Sequence, residues 1–211
     1  MINIHINILP EQQKCLFNNL LKQDWIRSFY LAGGTALALH IGHRQSIDFD
    51  FFTQNEFDSS AIIQKLQGIG SFDLFDQSDD TINGSLNNVK ISFFRYSYPL
   101  LVDLHRFNEL LIADMLDIAL MKLGAIAGRG SKKDFIDLYF LLQYFSTKEL
   151  FENYSLKYGM EIGNHYHLLK SLLYFKDAEN QPMPIMMKKI SWEDIKAEIV
   201  TRIQDSEIIT V

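Results

Sequence analysis

The chain has 211 residues, of which 47% are hydrophobic and 22% are charged, and its formal net charge at pH 7 is −6. This composition is typical of a soluble globular protein, and the acidic balance excludes a broad basic surface for duplex DNA. No apolar run reaches the length of a membrane span, so we expect no membrane partner. The single cysteine, Cys15, excludes an internal disulfide and favours a reducing cytoplasm.

The first half of the sequence alternates between helical and strand patterns. Apolar residues at helical spacing predict a helix over Leu9–Ile26. Two short apolar runs then predict strands on either side of a second helix, which Gly42 ends. Further strands are predicted around a polar turn at Asn83–Gly84 and on both sides of Pro99.

The second half is predominantly helical. Helical patterns begin at Leu111, continue in pieces through residues 147–175, and end in a last helix that Ser191 caps with Asp194 as its acidic partner. The sequence therefore predicts an α+β protein in two parts, an α+β core over residues 1–108 and a helical region over residues 109–211.

Two carboxylates interrupt the second apolar strand. Strand alternation over residues 46–53 places Asp48 and Asp50 on one face, and Phe49 and Phe51 on the other. Two ionised carboxylates about 7 Å apart repel each other unless a cation lies between them. Mg²⁺ suits such a site, because it takes one or two carboxylates and completes its shell with water and phosphate oxygens. The alternative is that both aspartates line the solvent face of an edge strand.

The residues upstream favour the metal interpretation. Gly33, Gly34 and Thr35 lie where the first strand gives way to a helix. Glycines let a phosphate approach the backbone, and a helix N-terminus offers free N–H groups and a positive dipole end. A phosphate cradle followed by a two-carboxylate strand is the combination that a nucleotide with Mg²⁺ requires.

These residues resemble those of a known superfamily. The stretch L-A-G-G-T-A-L-A-L-H, followed by H-R-Q-S-I-D-F-D-F-F, resembles the polymerase-β-type nucleotidyltransferases and, more narrowly, the AbiEii/AbiGii toxin family. The segment Asp117–Leu142 is similar to a second signature of that family. The resemblance implies a small mixed sheet flanked by helices, with a helical C-terminal part.

The resemblance also implies roles for individual residues. Gly33, Gly34 and Thr35 match the phosphate-contacting turn, and Asp48 and Asp50 match the pair that binds Mg²⁺ or Mn²⁺ beside the NTP substrate. Lys122 matches a lysine expected near the nucleotide phosphates and is a catalytic candidate. Asp134, with Asp137 nearby, matches an acid that the toxins need for activity. Arg44, between the helix and the carboxylate strand, is a candidate phosphate contact by its position and charge.

Each of these four residues also has a structural interpretation. Lys122 could be a surface lysine on an apolar helix, and Asp134 could be an acid favourable to a helix N-terminus. Asp137 could pair with Lys133 one helical turn earlier. Arg44 could neutralise the two strand carboxylates.

One position departs from the family pattern. Polymerase-β-type enzymes commonly place a third carboxylate on a neighbouring strand, and Ser92 stands where that acid is expected. Serine is a poor general base without help. Asp103, on what is predicted to be the next strand, is a possible substitute.

The leading hypothesis is a Mg²⁺-dependent nucleotidyltransferase that moves NMP from NTP to an acceptor. The resemblance makes it the toxin of a bacterial toxin–antitoxin or phage-defence pair, with RNA, notably tRNA, as acceptor and an antitoxin protein as a further partner. Any RNA contact would use a local basic patch, for which Arg129, Lys132 and Lys133 are candidates. The alternatives are a nucleotide-binding module without turnover, which Ser92 suggests, and an aminoglycoside-type small-molecule nucleotidyltransferase.

Overall fold

The computed structural model describes residues 4–159 and 165–206. The chain divides into two compact units, which we call the sheet unit (Met1–Pro99 with Asp103–Asp114) and the helical unit (Leu100–Val102 with Met115–Val211). The boundary predicted at residue 108 stays a prediction, and the helical prediction for residues 160–164 lies outside the described residues.

The sheet unit contains a seven-stranded mixed sheet. Its strands are β1 (Tyr30–Ala32), β2 (Phe49–Thr53), β3 (Phe72–Ser78), β4 (Thr81–Leu86), β5 (Val89–Arg95), β6 (His105–Phe107) and β7 (Leu110–Ile112). They lie in the order β3-β4-β5-β2-β1-β7-β6. Strand β2 runs parallel to β5 and antiparallel to β1, while β1 runs parallel to β7. This mixed sheet, together with the helices, confirms the predicted α+β class.

Three α-helices are described in the sheet unit, α1 (Glu11–Leu20), α2 (Gly33–Ile41) and α3 (Ser59–Ile69). Helix α2 is rich in Ala and Leu and ends as predicted at Gly42, whose φ of 63° lies in the left-handed region. The first predicted helix was too long. After α1 the chain forms a separate 3₁₀ helix over Asp24–Ser28.

One face of the central strands is an aromatic core. Phe49 and Phe51 of β2 are fully buried, whereas Asp50 between them is half-buried, so the predicted alternation is confirmed. The Phe51 ring stacks on Phe93 of β5 with centroids 5.2 Å apart. The Phe17 ring of α1 lies 6.0 Å from Phe49. Each buried phenylalanine contributes roughly 1.5–3 kcal/mol, which fixes the register of β2 and hence the face that carries Asp50.

The hairpins differ from the prediction. The chain turns between β3 and β4 at Asp79–Asp80, and Asn83–Gly84 lies inside β4. The second hairpin turns at Asn87–Asn88, where φ values of 50° and 61° suit a two-residue connection. Gly84 serves packing instead of a turn, because a Cβ there would lie 2.5 Å from the Phe72 ring.

The sheet also takes up residues that were predicted to be helical. The helix expected from Leu111 begins at Met115, because Leu110–Ile112 pairs with both β1 and β6. The strand expected directly after Pro99 does not form there, and the next strand, β6, starts at His105.

The helical unit contains α4 (Met115–Gly128), α5 (Lys132–Leu141), α6 (Thr147–Tyr158), α7 (His165–Leu172), α8 (Lys176–Glu179) and α9 (Trp192–Gln204). Helix α4 contacts α5, α6 and α7, and α9 packs on α5. The hydroxyl of Ser191 accepts a hydrogen bond from the Asp194 N–H at 3.1 Å, so the predicted cap is confirmed. No helix in the described ranges is long and apolar enough to span a bilayer.

Candidate active site

A glycine turn leads from β1 into α2. Gly33 is the first residue of the helix and has a φ of 69°, a conformation that L side chains rarely adopt. The N-cap residue, Ala32, makes no side-chain cap, and the first turn of α2 carries no acidic residue. Neither the N-cap residue nor the first turn of α2 itself therefore supplies an acceptor for the N-terminal N–H groups, so any acceptor must come from another element.

The two aspartates lie in β2, the strand next to β1, and in the residue directly before it. Asp50 lies in β2 directly opposite Ala32 of β1, and Asp48 immediately precedes β2. A Cβ on Gly33 would lie only 3.1 Å from Asp50 Oδ2, so the carboxylate occupies the space that the missing side chain leaves. Glycine is thus required at position 33 both by backbone conformation and by the approach of Asp50.

Thr35 connects the glycine turn to Asp48. Its side chain is buried, its Oγ1 lies 2.7 Å from Ser46 Oγ, and it donates a hydrogen bond to the backbone carbonyl of Asp48. A hydroxyl has one proton, so both contacts are satisfied when Ser46 donates to Thr35. Ser46 was not among the residues predicted for the site, although a serine two residues before Asp48 offered a signal.

Arg44 lies in the connection between α2 and β2. The residue is 3% exposed, and its Nη1 donates to the carbonyl of Gln45 at 3.0 Å. Its buried guanidinium carries a fixed positive charge within the sheet unit. Its predicted contact with phosphate stays a prediction.

Ser92 occupies the position expected for a third carboxylate. It lies directly opposite Asp50 in the parallel pairing of β2 with β5 and is 1% exposed. Asp103 does not substitute for it. That residue is exposed in the segment before β6, and β1 and β7 both intervene between β6 and β2.

The predicted metal pair, Asp48 and Asp50, stays a prediction. Across residues 4–159 and 165–206 no group of three His, Cys, Asp or Glu side chains could hold a metal ion. The carboxylates of Asp48 and Asp50 are hard oxygen donors of the kind that Mg²⁺ takes, and both residues are half-buried.

The other predicted residues form a charged cluster in the helical unit. Lys122 Nζ lies 2.9 Å from Asp134 Oδ1 and 2.7 Å from Asp137 Oδ2. Arg129 Nε lies 2.9 Å from Asp134 Oδ2, and Ser131 Oγ lies 2.5 Å from the same oxygen. The Lys122 side chain is 5% exposed and both carboxylates are 0% exposed, so Lys122 is not the surface lysine of the structural alternative.

This cluster is held together by complementary charge. Burial alone raises the pKa of the Asp134 carboxyl, but the Lys122 ammonium and the hydrogen bonds from Arg129 and Ser131 outweigh burial and hold that pKa well below its usual range. The positive charges of Lys122 and Arg129 balance the negative charges of Asp134 and Asp137, so the cluster as a whole is neutral. Such a pKa depression is found at functional sites and in structural ion networks alike.

The predicted basic patch is smaller than expected. Lys132 is 6% exposed, and its Nζ donates to the backbone carbonyl of Glu179 at 3.0 Å. Its ammonium also lies 5.1 Å from the centroid of the Trp192 ring. Lys132 is therefore not part of a patch, whereas Lys133 is exposed and the Arg129 side chain is 62% exposed.

A second buried ion pair was not anticipated. Lys157 Nζ lies 2.6 Å from Asp117 Oδ1, and both side chains are fully buried. Asp117 Oδ2 also accepts hydrogen bonds from the backbone N–H groups of Leu101 and Val102, each at 3.0 Å. The pair fixes residues 100–102 within the helical unit. A lysine and an aspartate on different helices give no local signal of this contact.

A mixed sheet with a glycine turn at a helix start, one carboxylate in the neighbouring strand and another directly before that strand, is typical of a nucleotidyltransferase-like protein. Residues 14–207 match the model of the family described as "Nucleotidyl transferase AbiEii toxin, Type IV TA system". The chain belongs to this family, and it is therefore a nucleotidyltransferase of the toxin type. The family resemblance inferred from the sequence is confirmed.

The chain is also similar to a curated relative and to solved structures. An uncharacterized protein of Aquifex aeolicus is 41% identical over 179 residues, which cover 82% of this chain and 86% of the relative. The crystal structure of JHP933 from Helicobacter pylori is similar with a TM-score of 0.56 at 18% identity, covering 93% of this chain and 92% of that one. MenT4, a nucleotidyltransferase toxin from Mycobacterium tuberculosis, is similar with a TM-score of 0.56 at 13% identity, covering 94% and 87%. At these identities the two structures establish a shared fold.

Proposed function

We propose that the protein transfers a nucleoside monophosphate from an NTP to an RNA acceptor, with tRNA as the expected class, and that it needs Mg²⁺ or Mn²⁺. The observation that carries the proposal is the approach of Asp50 to the Gly33 turn, with Oδ2 3.1 Å from the place of a Cβ. This puts a carboxylate beside the start of a helix, where phosphate and cation would be bound together. RNA as acceptor follows from the family resemblance.

The donor set fits a divalent cation. Asp48, directly before β2, and Asp50, within β2, would supply carboxylate oxygens, and both residues are partly exposed, as a site that also takes water and substrate requires. Bound there, Mg²⁺ would align the NTP phosphates and offset the negative charge that develops during transfer. Mn²⁺ prefers the same oxygen ligands.

The protein's own groups would act as follows. The N–H groups at the start of α2 would bind phosphate oxygens, and Thr35 would hold Asp48 in place through its carbonyl. The acceptor hydroxyl would form a bond to the α-phosphorus, the α–β phosphoanhydride bond would break, and pyrophosphate would leave. We assign the hydroxyl proton to solvent, since Ser92 is a poor base. Lys122 and Asp134 are retained as candidate catalytic residues on the family resemblance.

The test is a transfer assay. The purified chain is incubated with Mg²⁺, each α-labelled NTP in turn and total bacterial RNA, in parallel with Asp48→Asn and Asp50→Asn variants. Asp103→Asn is the matched control, because it makes the same chemical change at an exposed site away from β2. We expect label in RNA from the wild type and the control, and none from either site variant or in EDTA.

Other outcomes would change the proposal. Transfer to an aminoglycoside but not to RNA would support the small-molecule acceptor. Loss of transfer in Asp103→Asn as well would contradict the two-carboxylate site. Transfer that persists in both site variants would show that β2 does not hold the catalytic cation.

A further inference from the structure

Strand β3 forms one edge of the seven-stranded sheet. It spans seven residues, Phe72–Ser78, and pairs on one side with β4. On its other side no strand of the described ranges pairs with it. An edge strand of this length presents a row of backbone N–H and C=O groups that another extended chain can complete.

The exposed side chains of β3 include two large apolar groups. Every residue from Asp73 to Ser78 is exposed, with Leu74 at 46% and Phe75 at 64%. The register shifts between Leu74 and Asp76, so Phe75 is the extra residue of a β-bulge. A bulge disfavours the addition of a further strand to a sheet edge. The exposed Phe75 at this bulge favours such addition, because it provides apolar surface that a partner can cover.

The charge of β3 selects among possible occupants. Asp73 and Asp76 lie on the strand, Asp79 and Asp80 form the turn that follows, and β3 contains no lysine or arginine. A second copy of the chain would bring the same acidic strand alongside, and like charges on paired strands are destabilising. A basic segment would meet opposite charges.

A polar recess lies at the end of this strand. It has a volume of about 520 Å³ and is lined by Gln77 of β3, the two turn aspartates and Glu56 among others. Among the described residues that line it, Arg95 is the cation, and its Nη1 lies 3.3 Å from Asp80 and 3.2 Å from Glu56. Acidic groups still outnumber Arg95 there, so the recess suits the end of a lysine or arginine side chain.

We propose that β3 is a docking strand for an extended basic segment of a partner protein, which adds to the sheet by backbone pairing. The exposed backbone edge supplies affinity, Leu74 and Phe75 supply apolar contact, and the aspartates select for positive charge. This surface is separate from the residues of the proposed transfer reaction.

The test uses a designed probe. A fluorescent eight-residue peptide of alternating lysine and valine is titrated at low salt, beside a glutamate–valine peptide and a lysine–valine peptide interrupted by proline. Hydrogen exchange with mass spectrometry locates the bound site. We expect only the uninterrupted basic peptide to bind, and residues 72–78 to exchange more slowly in its presence.

Two variants separate charge at β3 from charge in general. Asp76→Lys reverses an exposed charge on the strand, and Glu152→Lys makes the matched reversal on the exposed surface of α6. We expect Asp76→Lys to bind the basic peptide about fivefold more weakly and Glu152→Lys to bind it as the wild type does. Both variants should keep the transfer activity, which makes this test independent of the proposed function.

The proposal would be overturned by results of three kinds: on affinity, on the site of binding, and on the identity of the occupant. The first is dissociation constants weaker than about 1 mM for the basic peptide. The second is equal weakening by both variants, or exchange protection outside residues 72–78. The third is a wild-type dimer in sedimentation with residues 72–78 protected, which would make a second copy of the chain the occupant.

Discussion

The cluster around Lys122 gives the sharpest prediction, because its structural role can be separated from any catalytic one. Lys122→Met removes the ammonium but keeps an unbranched side chain of similar length. The change leaves Asp134 and Asp137, both 0% exposed, without the charge that lies 2.9 and 2.7 Å away. Removing one partner of a buried ion pair costs about 3–5 kcal/mol. We expect the variant to lose stability in this range.

The assay is urea unfolding at pH 7, followed by far-UV circular dichroism. Lys148→Met is the matched control, because Lys148 lies exposed on α6. It should change the free energy of unfolding by no more than about 0.5 kcal/mol. A loss below about 1 kcal/mol for Lys122→Met, or an equal loss in the control, would refute the ion-cluster argument.

The same reasoning predicts a pH dependence. The pKa of Asp134 is lower in the folded protein than in the unfolded chain, so folding releases protons at acid pH. The stability that Asp134 contributes is complete above the ordinary carboxyl pKa of about 3.9 and is lost as the pH falls towards the folded pKa. The stability difference between wild type and Lys122→Met should therefore shrink from pH 5 to pH 3. A difference that grows over this interval would contradict the assigned cause.

Three further predictions concern the sheet unit. Gly33→Ala should lower the free energy of unfolding by about 1–2 kcal/mol, because residue 33 has a left-handed backbone, and it should also slow transfer. The control is Gly68→Ala, in open space on α3, which should raise the free energy of unfolding by roughly 0.5–1 kcal/mol in thermal unfolding. Thr35→Val should lower the free energy of unfolding by about 1–2 kcal/mol. It should also lower kcat and leave KM for NTP unchanged, because Thr35 acts through Asp48. A raised KM at constant kcat would mean that Thr35 contacts the nucleotide. Ser92→Asp should lower Tm in EDTA and show a larger Mg²⁺-dependent rise in Tm than the wild type; an equal response would place the cation elsewhere.

The parts of the fold that the sequence predicted well follow local rules. Alternation in β2 separates Phe51 from Asp50 because a strand has a period of two residues. Gly42 ends α2 because few other residues adopt its backbone conformation. The Ser191 cap is likewise encoded within four residues.

The parts that were wrong depend on contacts remote in sequence. Asn83–Gly84 is a strong turn signal, yet Phe72 packs against Gly84 and keeps it in a strand. Leu110–Ile112 is compatible with a helix by itself and becomes a strand because β1 offers a parallel partner. The surface-lysine alternative for Lys122 fails for the same reason, because the two carboxylates that bury it lie on another helix.

The contacts of Thr35 bear on how the glycine motif works. From sequence, Thr35 was assigned to the phosphate-contacting turn. In the structure the hydroxyl is buried and binds the Asp48 carbonyl and Ser46 instead. A hydroxyl committed to the backbone of the carboxylate strand has no second proton for a phosphate. Phosphate binding at this turn would then depend on backbone N–H groups, and Thr35 would contribute by fixing Asp48 relative to Gly33. The glycine turn and the aspartate pair are thus joined by side-chain contacts within one unit, which is the arrangement that positioning two charged substrate groups requires.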